Sequence, residues 1–243
     1  MAGLLVRCDR NWCLDLFSDR SYAVSRVHNS EGGRLPMTLF TVAKVMIFVV
    51  LLYSVILHEM AHGYTALRLG DTTARDAGRL TLNPIKHVDP FGTVVLPLLL
   101  HLAQSPLLIG WAKPVPVNPL LMSDPRRGMM LVAASGPLTN TTLAVLFALA
   151  LRNLPASTLP LLVDLLVFSC YINIILALFN LIPVPPLDGS KLLAGILPVN
   201  LRRPYLRLER YGIFITLPLL YLALKYGVLT LVVESIFYLL VRA

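Results

Sequence analysis

Apolar runs long enough to cross a lipid bilayer recur along this 243-residue chain. A membrane-spanning helix needs about 20 consecutive apolar residues, and the stretches at about 38–57, 129–151 and 160–182 have that length. Only 14% of the residues are charged, against roughly 25% in soluble domains, and 56% are hydrophobic. Because an isolated segment can satisfy its backbone in lipid only as a helix, the sequence predicts an all-α polytopic membrane protein.

The chain has room for about five or six transmembrane or re-entrant helices. A hydrophobic hairpin is predicted at its end, at about 211–224 and 228–241. The segment 90–110 is apolar but interrupted by prolines and polar residues, which favours a re-entrant loop buried in protein over an ordinary crossing.

The residues before the first span have a different composition. They are polar, contain five arginines and include no apolar run long enough for a signal peptide. We interpret residues 1–37 as an N-terminal extension that is disordered or results from an upstream start site, and we assign 38–243 to one membrane domain.

The net charge of +8 comes from basic residues in the loops between apolar runs. Positively charged loops face the cytoplasm, which places 64–88, 111–128 and 183–210 on the cytoplasmic side. This distribution argues against nucleic acid as a partner. The chain has three cysteines, and Cys170 lies inside an apolar run, so no disulfide framework is expected.

The first span ends in a cluster of polar residues, within the sequence VILHEMAHGY. His58 and His62 are four residues apart and therefore lie on one face of a helix, with Glu59 beside them. This spacing predicts a zinc site. The alternative is a pair of interfacial histidines at a helix end, but ionisable residues at membrane depth cost about 2.5–3.5 kcal/mol and are seldom placed there without a partner.

A catalytic zinc site needs a third protein ligand and an open position for water. The candidates are His87, His101 and the acidic residues, of which Asp188 stands out. It follows the span 160–182 in the sequence FNLIPVPPLDGS, where the prolines prevent helix and the glycine permits a sharp bend. By the charge distribution, His62 and Asp188 lie at the same side of the membrane.

Several motifs together resemble the site-2 protease family of intramembrane zinc metalloproteases, in its short bacterial form. They are HEMAHGYTALRLGD, GRLTLNPIKHVDPFGTVVLP, GWAKPVPVNP, SGPLTN and NIILALFNLIPVPPLDGS. The resemblance implies that His58, His62 and Asp188 bind one Zn²⁺ per chain and that Glu59 is the general base. It also implies that Asn180 positions substrate or stabilises the oxyanion. Hydrogen bonding between helices is the alternative role for an intramembrane asparagine, and it suits Asn173 and Asn140 better.

The predicted function is a zinc-dependent intramembrane endopeptidase that hydrolyses peptide bonds in transmembrane segments of membrane proteins. The expected partners are the substrate helices and the lipid bilayer, in the cell membrane, with the active site toward the cytoplasm. We expect an extended stretch at 78–83 to receive the unwound peptide by strand addition, with 111–118 beside it. The alternative function is a non-catalytic zinc-binding scaffold or a transporter. The presence of Glu59 disfavours a scaffold, and ionisable residues gathered at one depth disfavour a transporter.

Overall fold

The computed structural model describes residues 3–7, 37–95, 98, 99, 102, 107–155 and 157–242. The helices and strands of these residues are β1 (Gly3–Arg7), α1 (Met37–Arg68), α2 (Thr73–Asp76), β2 (Leu107–Trp111), α3 (Pro125–Arg152), α4 (Pro160–Leu181), α5 (Asp188–Ile196), α6 (Val199–Arg207), α7 (Gly212–Lys225) and α8 (Val228–Arg242). Short helical turns lie at Pro84–His87, Pro90–Val95, Pro119–Leu121 and Leu208–Tyr211.

Three of these helices are long and apolar enough to cross a membrane, namely α1 over Val45–Arg68, α3 and α4. The terminal pair Phe214–Ala223 and Val228–Arg242 passes the same test together, with a bend of 67° between its halves. This confirms the predicted helical membrane protein, although β1 and β2 form a small two-stranded sheet among the described residues. The described residues do not confirm the predicted count of five or six spans.

Two predictions fall partly outside the described residues. The segment 90–110 begins with the helical turn Pro90–Val95 and ends in β2, but 96–97, 100–101 and 103–106 are not described. Its re-entrant path therefore stays a prediction. Residues 8–36 of the predicted extension are also outside the described part, whereas β1 pairs antiparallel with β2, from Gly3 opposite Trp111 to Arg7 opposite Leu107.

The stretch 78–83, which we expected to be extended, is not a strand. It begins at a turn in which Gly78 has a φ of +63°, a conformation that favours glycine. It ends at Asn83, whose side chain accepts a hydrogen bond from the Ile85 amide and caps the helical turn at Pro84. The local turn and cap therefore replace the alternating pattern that had suggested a strand.

The helix bounds follow from local signals. α1 continues without a break from the predicted first span through the histidines to Arg68, and Gly70, with a φ of +104°, follows its end. α3 starts where the Asp124 carboxylate accepts hydrogen bonds from the Arg126 and Arg127 amides, with Pro125 at the first helical position.

Helix α3 is central and packs against α1, α4, α5 and α8. Ala144 and Ala148 of α3 are almost fully buried against Cys170 and Ile174 of α4 and Val233 of α8. Small residues at such positions let membrane helices approach closely, which maximises van der Waals contact where lipid provides no hydrophobic driving force. This packing places the polar end of α1 between α3 and the start of α5.

Candidate metal centre

Three side chains from two distant segments meet at the end of α1. The Nε2 atoms of His58 and His62 are 3.1 Å apart. The Oδ2 atom of Asp188, at the start of α5, lies 3.1 Å from each of them. All three residues are buried, and their ligand atoms can form a metal-binding group. The structure thus brings together the two histidines of the motif and the acid that the sequence singled out.

Each imidazole is held by a hydrogen bond from its other ring nitrogen. Nδ1 of His58 donates to Oδ1 of Asn140, and Nδ1 of His62 donates to the Val132 carbonyl at 2.6 Å. The Asn140 amide donates in turn to Oδ1 of Asn173 at 2.8 Å. With both Nδ1 atoms acting as donors, both Nε2 atoms present lone pairs to the same point. Metal-binding histidines are typically oriented in this way.

The donor set fits a zinc ion. Two neutral imidazoles and a carboxylate are ligands of catalytic zinc sites. Zinc–ligand bonds of about 2.0–2.2 Å in tetrahedral geometry separate the ligand atoms by roughly 3.3–3.6 Å. The three atoms are 3.1 Å apart, slightly closer than this. Lone pairs this close repel each other unless a cation lies between them, so the arrangement favours binding of a divalent metal.

Gly136 of α3 packs against the imidazole rings of His58 and His62, where there is no room for a side chain. A Cβ atom at this position would lie 2.5 Å from Nε2 of His58 and 2.6 Å from Cε1 of both His58 and His62. Real Cβ contacts are essentially never under 3.0 Å. The Gly136-Pro137 pair therefore does more than pack helices, because the glycine gives shape to the metal centre.

Asp188 reaches the histidines through a tight turn between α4 and α5. A Cβ atom at Gly189 would lie 2.1 Å from the Leu181 carbonyl oxygen, so the turn packs directly onto the end of α4. The glycine is needed for this close approach, rather than for the backbone freedom that we expected. A cation bound between the three ligand atoms would favour the carboxylate form of Asp188.

Glu59 directly follows His58 in α1 and is buried. Its Oε2 atom accepts a hydrogen bond of 2.9 Å from the backbone N–H of Val115. The donor belongs to the PVPV stretch that we had placed beside the substrate. Because one carboxylate oxygen is fixed in this way, the orientation of the other is fixed as well.

A cavity of about 250 Å³ adjoins these residues. One part of its lining is polar, comprising His58, Glu59, His62, Asn180, Asp188 and Lys191. The other part is apolar, comprising Pro114, Val115, Val117, Met129 and Val132. Such a combination suits a peptide with apolar side chains that reacts at a polar group.

Asn180 and Lys191 have separate places in this cavity. The amide nitrogen of Asn180 donates to the Leu176 carbonyl at 2.9 Å, while its oxygen has no hydrogen-bond partner among the described residues. Nζ of Lys191 lies 3.6 Å from Oδ1 of Asp188, the oxygen opposite the one that faces the histidines. The sequence analysis did not identify Lys191 as a site residue. It could have done so, because Lys191 is three residues after Asp188, and residues three apart on a helix are neighbours.

The other candidate residues lie elsewhere. His87 is buried, with Nε2 2.8 Å from the Thr81 carbonyl oxygen, and is not part of the metal-binding group. His101 is outside the described residues. Asn173 joins helices by donating to Oγ of Ser54 at 3.0 Å, the role that we expected for it. Asn140 also joins helices, but it holds His58 of the candidate metal-binding group as well, which we had not predicted.

Comparison with known proteins places the chain in a family. The pattern of Peptidase family M50 matches residues 155–223. YwhC of Bacillus subtilis, which is named as a zinc metalloprotease, is 39% identical over 178 residues, covering 70% of this chain and 78% of YwhC. The chain belongs to peptidase family M50. This membership confirms the predicted site-2 protease family. It also confirms the predicted enzyme class, a metallopeptidase. Together with the donor set, it confirms the predicted zinc cofactor.

Other members of the M50 family are also similar. Rip2 of Mycobacterium tuberculosis strain H37Rv, likewise named as a zinc metalloprotease, is 34% identical over 145 residues, covering 60% of this chain and 54% of Rip2. Rip2 of Mycolicibacterium smegmatis is 29% identical over 169 residues, covering 70% of this chain and 64% of its own length. No solved structure matches the chain.

Replacing Asn140 by Ala should weaken zinc binding by about 10- to 100-fold, the usual loss when the partner of a metal-binding histidine is removed. The imidazole of His58 would lose the acceptor that fixes its Nδ1 hydrogen and its orientation. Zinc affinity can be measured by competition with a chelator of known affinity.

Two controls separate this effect from a packing defect. Asn140→Asp retains an acceptor for His58 and should recover most of the affinity, although it cannot donate to Asn173. Asn153→Ala makes the same change at an exposed position at the end of α3 and should leave affinity unchanged. An affinity in Asn140→Ala within threefold of the wild type would contradict the role of Asn140.

Proposed function

We propose that this M50 peptidase is an intramembrane endopeptidase that hydrolyses peptide bonds in transmembrane segments of membrane proteins, with its zinc held by His58, His62 and Asp188. The observation that carries the proposal is the position of these ligand atoms and of Glu59 around one cavity at the end of a membrane-spanning helix. Residues 38–243 form the metallopeptidase domain in this proposal.

Glu59 acts as the general base. With Oε2 engaged by the Val115 N–H, Oε1 is left to accept a proton from the attacking water and then to deliver it to the leaving amine nitrogen. His58, His62 and Asp188 would hold the zinc, which would supply Lewis-acid polarisation of the scissile carbonyl and lower the pKa of water. The bond broken is the C–N bond of the peptide, and the water provides the hydroxyl of the new carboxyl group.

Asn180 contacts the substrate in this proposal. Asn180 lines the cavity, and its amide oxygen has no partner among the described residues, so it can accept a hydrogen bond from a substrate amide. Rotation of the side chain would instead release the N–H groups from the Leu176 carbonyl and present them to the oxyanion. Both actions require the substrate helix to unwind, because helical carbonyl and amide groups are already paired.

The active site faces the cytoplasm of the cell membrane in this proposal. The basic loops 64–88 and 183–210 adjoin the metal-binding end of α1 and the start of α5, and positive loops are retained on the cytoplasmic side. Water reaches the cavity from the same side, past the partly exposed Lys191.

The test is cleavage of a labelled transmembrane peptide reconstituted with purified protein in lipid vesicles. Mass spectrometry of the products is expected to show cleavage inside or at the edge of the apolar segment. Cleavage should stop on removal of zinc with a chelator and return on adding zinc. The matched control is a peptide with the same flanks and a polar segment that does not enter the bilayer.

A protein that binds stoichiometric zinc but cleaves none of a panel of transmembrane peptides would contradict the proposal. Zinc flux into vesicles would then favour a transporter, and its absence a scaffold. Cleavage of the polar control peptide at an equal rate would contradict the transmembrane specificity.

A further inference from the structure

Residues 113–118, with the sequence KPVPVN, form a strap that lies against the catalytic end of α1. Proline has no N–H, so only Lys113, Val115, Val117 and Asn118 can donate from the strap backbone. The N–H of Val115, between the two prolines, donates to Oε2 of Glu59 at 2.9 Å. The strap thus offers one backbone donor to the proposed general base.

The ends of the strap are anchored to buried groups. The amide of Lys113 donates to the His87 carbonyl at 2.9 Å. At the other end, the amide of Asn118 donates to Oδ2 of Asp71 at 2.6 Å. The Asp71 carboxylate is fully buried, and hydrogen bonds from Thr73 and Asn118 help to lower its pKa, against the effect of burial. The anchors are therefore part of the folded structure rather than surface contacts.

Arg79 holds the first two residues of the strap. Its side chain is buried, with 6% of the residue exposed, and it forms no ion pair among the described residues. Its Nη2 atom instead donates to the carbonyls of Lys113 at 2.6 Å and Pro114 at 3.2 Å. Burying a cation without a counter-ion costs free energy, so this position calls for a functional explanation.

The explanation lies in the peptide group between Pro114 and Val115. The carbonyl that accepts from Arg79 and the N–H that donates to Glu59 belong to this same planar unit. In a trans peptide these two groups point in opposite directions. The guanidinium therefore lies at the oxygen end of the peptide dipole and the carboxylate at the hydrogen end, which aligns and polarises the unit.

We infer that Arg79 is a positioning residue for Glu59 and acts through the peptide group 114–115. The inference rests on the proposed function, in which Glu59 is the general base. The cation fixes the plane of the peptide and the peptide N–H fixes Oε2 of Glu59. Oε1, which has no hydrogen-bond partner among the described residues, is thereby oriented toward the cavity. Arg79 itself contacts neither the cavity nor the metal-binding residues.

Replacing Arg79 by Ala tests the inference. We expect kcat for the transmembrane peptide to fall by about 10- to 100-fold, the cost of misplacing a catalytic group by about 1 Å. Bound zinc should stay within twofold of the wild type, because Arg79 contacts none of the three ligands, and the loss should appear mainly in kcat rather than in KM. Arg79→Lys, which can still donate to a carbonyl, should recover part of kcat.

A second measurement reports on the strap without relying on activity. Hydrogen exchange of a peptide covering 113–118 should be faster in Arg79→Ala than in the wild type, while exchange in α3 and α4 is unchanged. The control is Arg75→Ala, since Arg75 is exposed and pairs only with Asp76 among the described residues. It should change neither kcat nor exchange.

A double variant distinguishes positioning of Glu59 from a general structural role. If Arg79 acts through Glu59, adding Arg79→Ala to Glu59→Gln should lower the residual rate by less than threefold. The inference would be overturned if the double variant showed the product of the two single losses in rate. It would also be overturned if Arg79→Ala left kcat unchanged or lost zinc in parallel with kcat. If the wild type does not cleave the peptide, the proposed function fails. Hydrogen exchange of 113–118 then decides by itself whether Arg79 holds the strap.

Discussion

Glu59→Gln is expected to lower the rate of peptide cleavage by about 100- to 10,000-fold, the range over which general acid–base groups contribute. Glutamine is the same size and can still accept the hydrogen bond from the Val115 N–H. It cannot take a proton from water at neutral pH. The loss should therefore appear in kcat, and zinc should remain bound, because Glu59 is not among the three metal-binding residues.

The measurement is single-turnover cleavage of the labelled transmembrane peptide beside the zinc content of the same sample. The matched control is Glu209→Gln, the same chemical change at an exposed position after α6, which should cleave at the wild-type rate. A Glu59→Gln protein that retains more than a tenth of the wild-type rate would show that another group takes the proton.

Gly136→Ala is expected to remove zinc from the protein and reduce cleavage to background. The added Cβ would lie 2.5 Å from Nε2 of His58, the atom that must bind the metal, and 2.6 Å from Cε1 of His62. The imidazoles cannot rotate away without losing their hydrogen bonds to Asn140 and Val132. We expect zinc affinity to fall by more than 100-fold.

The same substitution elsewhere in α3 provides the control. A Cβ at Gly128 would meet Sδ of Met122 at 2.5 Å, and this sulfur is near the flexible end of a side chain that can move. Gly128→Ala should therefore keep zinc and activity. Alanine is a better helix former than glycine by about 1 kcal/mol, so neither substitution should destabilise α3 as a helix. If Gly136→Ala loses zinc and Gly128→Ala keeps it, the cause is the clash with the histidines. Retention of stoichiometric zinc in Gly136→Ala would contradict the geometry.

The parts of the site that could be predicted from sequence are those encoded in local spacing. His58 and His62 lie one turn apart on one helix face with Glu59 beside them, and the prolines before Asp188 end α4 within reach of α1. The long helices were equally predictable, because the apolar runs have the length that a bilayer requires and end at Gly70, Arg152 and the prolines after Leu181.

Contacts between distant segments could not be predicted in this way. Asn140 lies 82 residues from His58, and no periodicity connects the two. The donor to Glu59 is a backbone N–H, which any residue except proline has, so the identity of Val115 gave no indication of it. The stretch 78–83 was misread because its alternating side chains resemble a strand, whereas Gly78 and Asn83 direct a turn and a cap.

The central claim is that His58, His62 and Asp188 together hold one zinc ion, and X-ray absorption at the zinc K-edge of the purified protein tests it most directly. The account predicts one zinc per chain, bound by two imidazoles and by oxygen donors only, with altered oxygen coordination or loss of zinc in Asp188→Ala. A spectrum with sulfur ligands, a single imidazole, or no change in Asp188→Ala would contradict it.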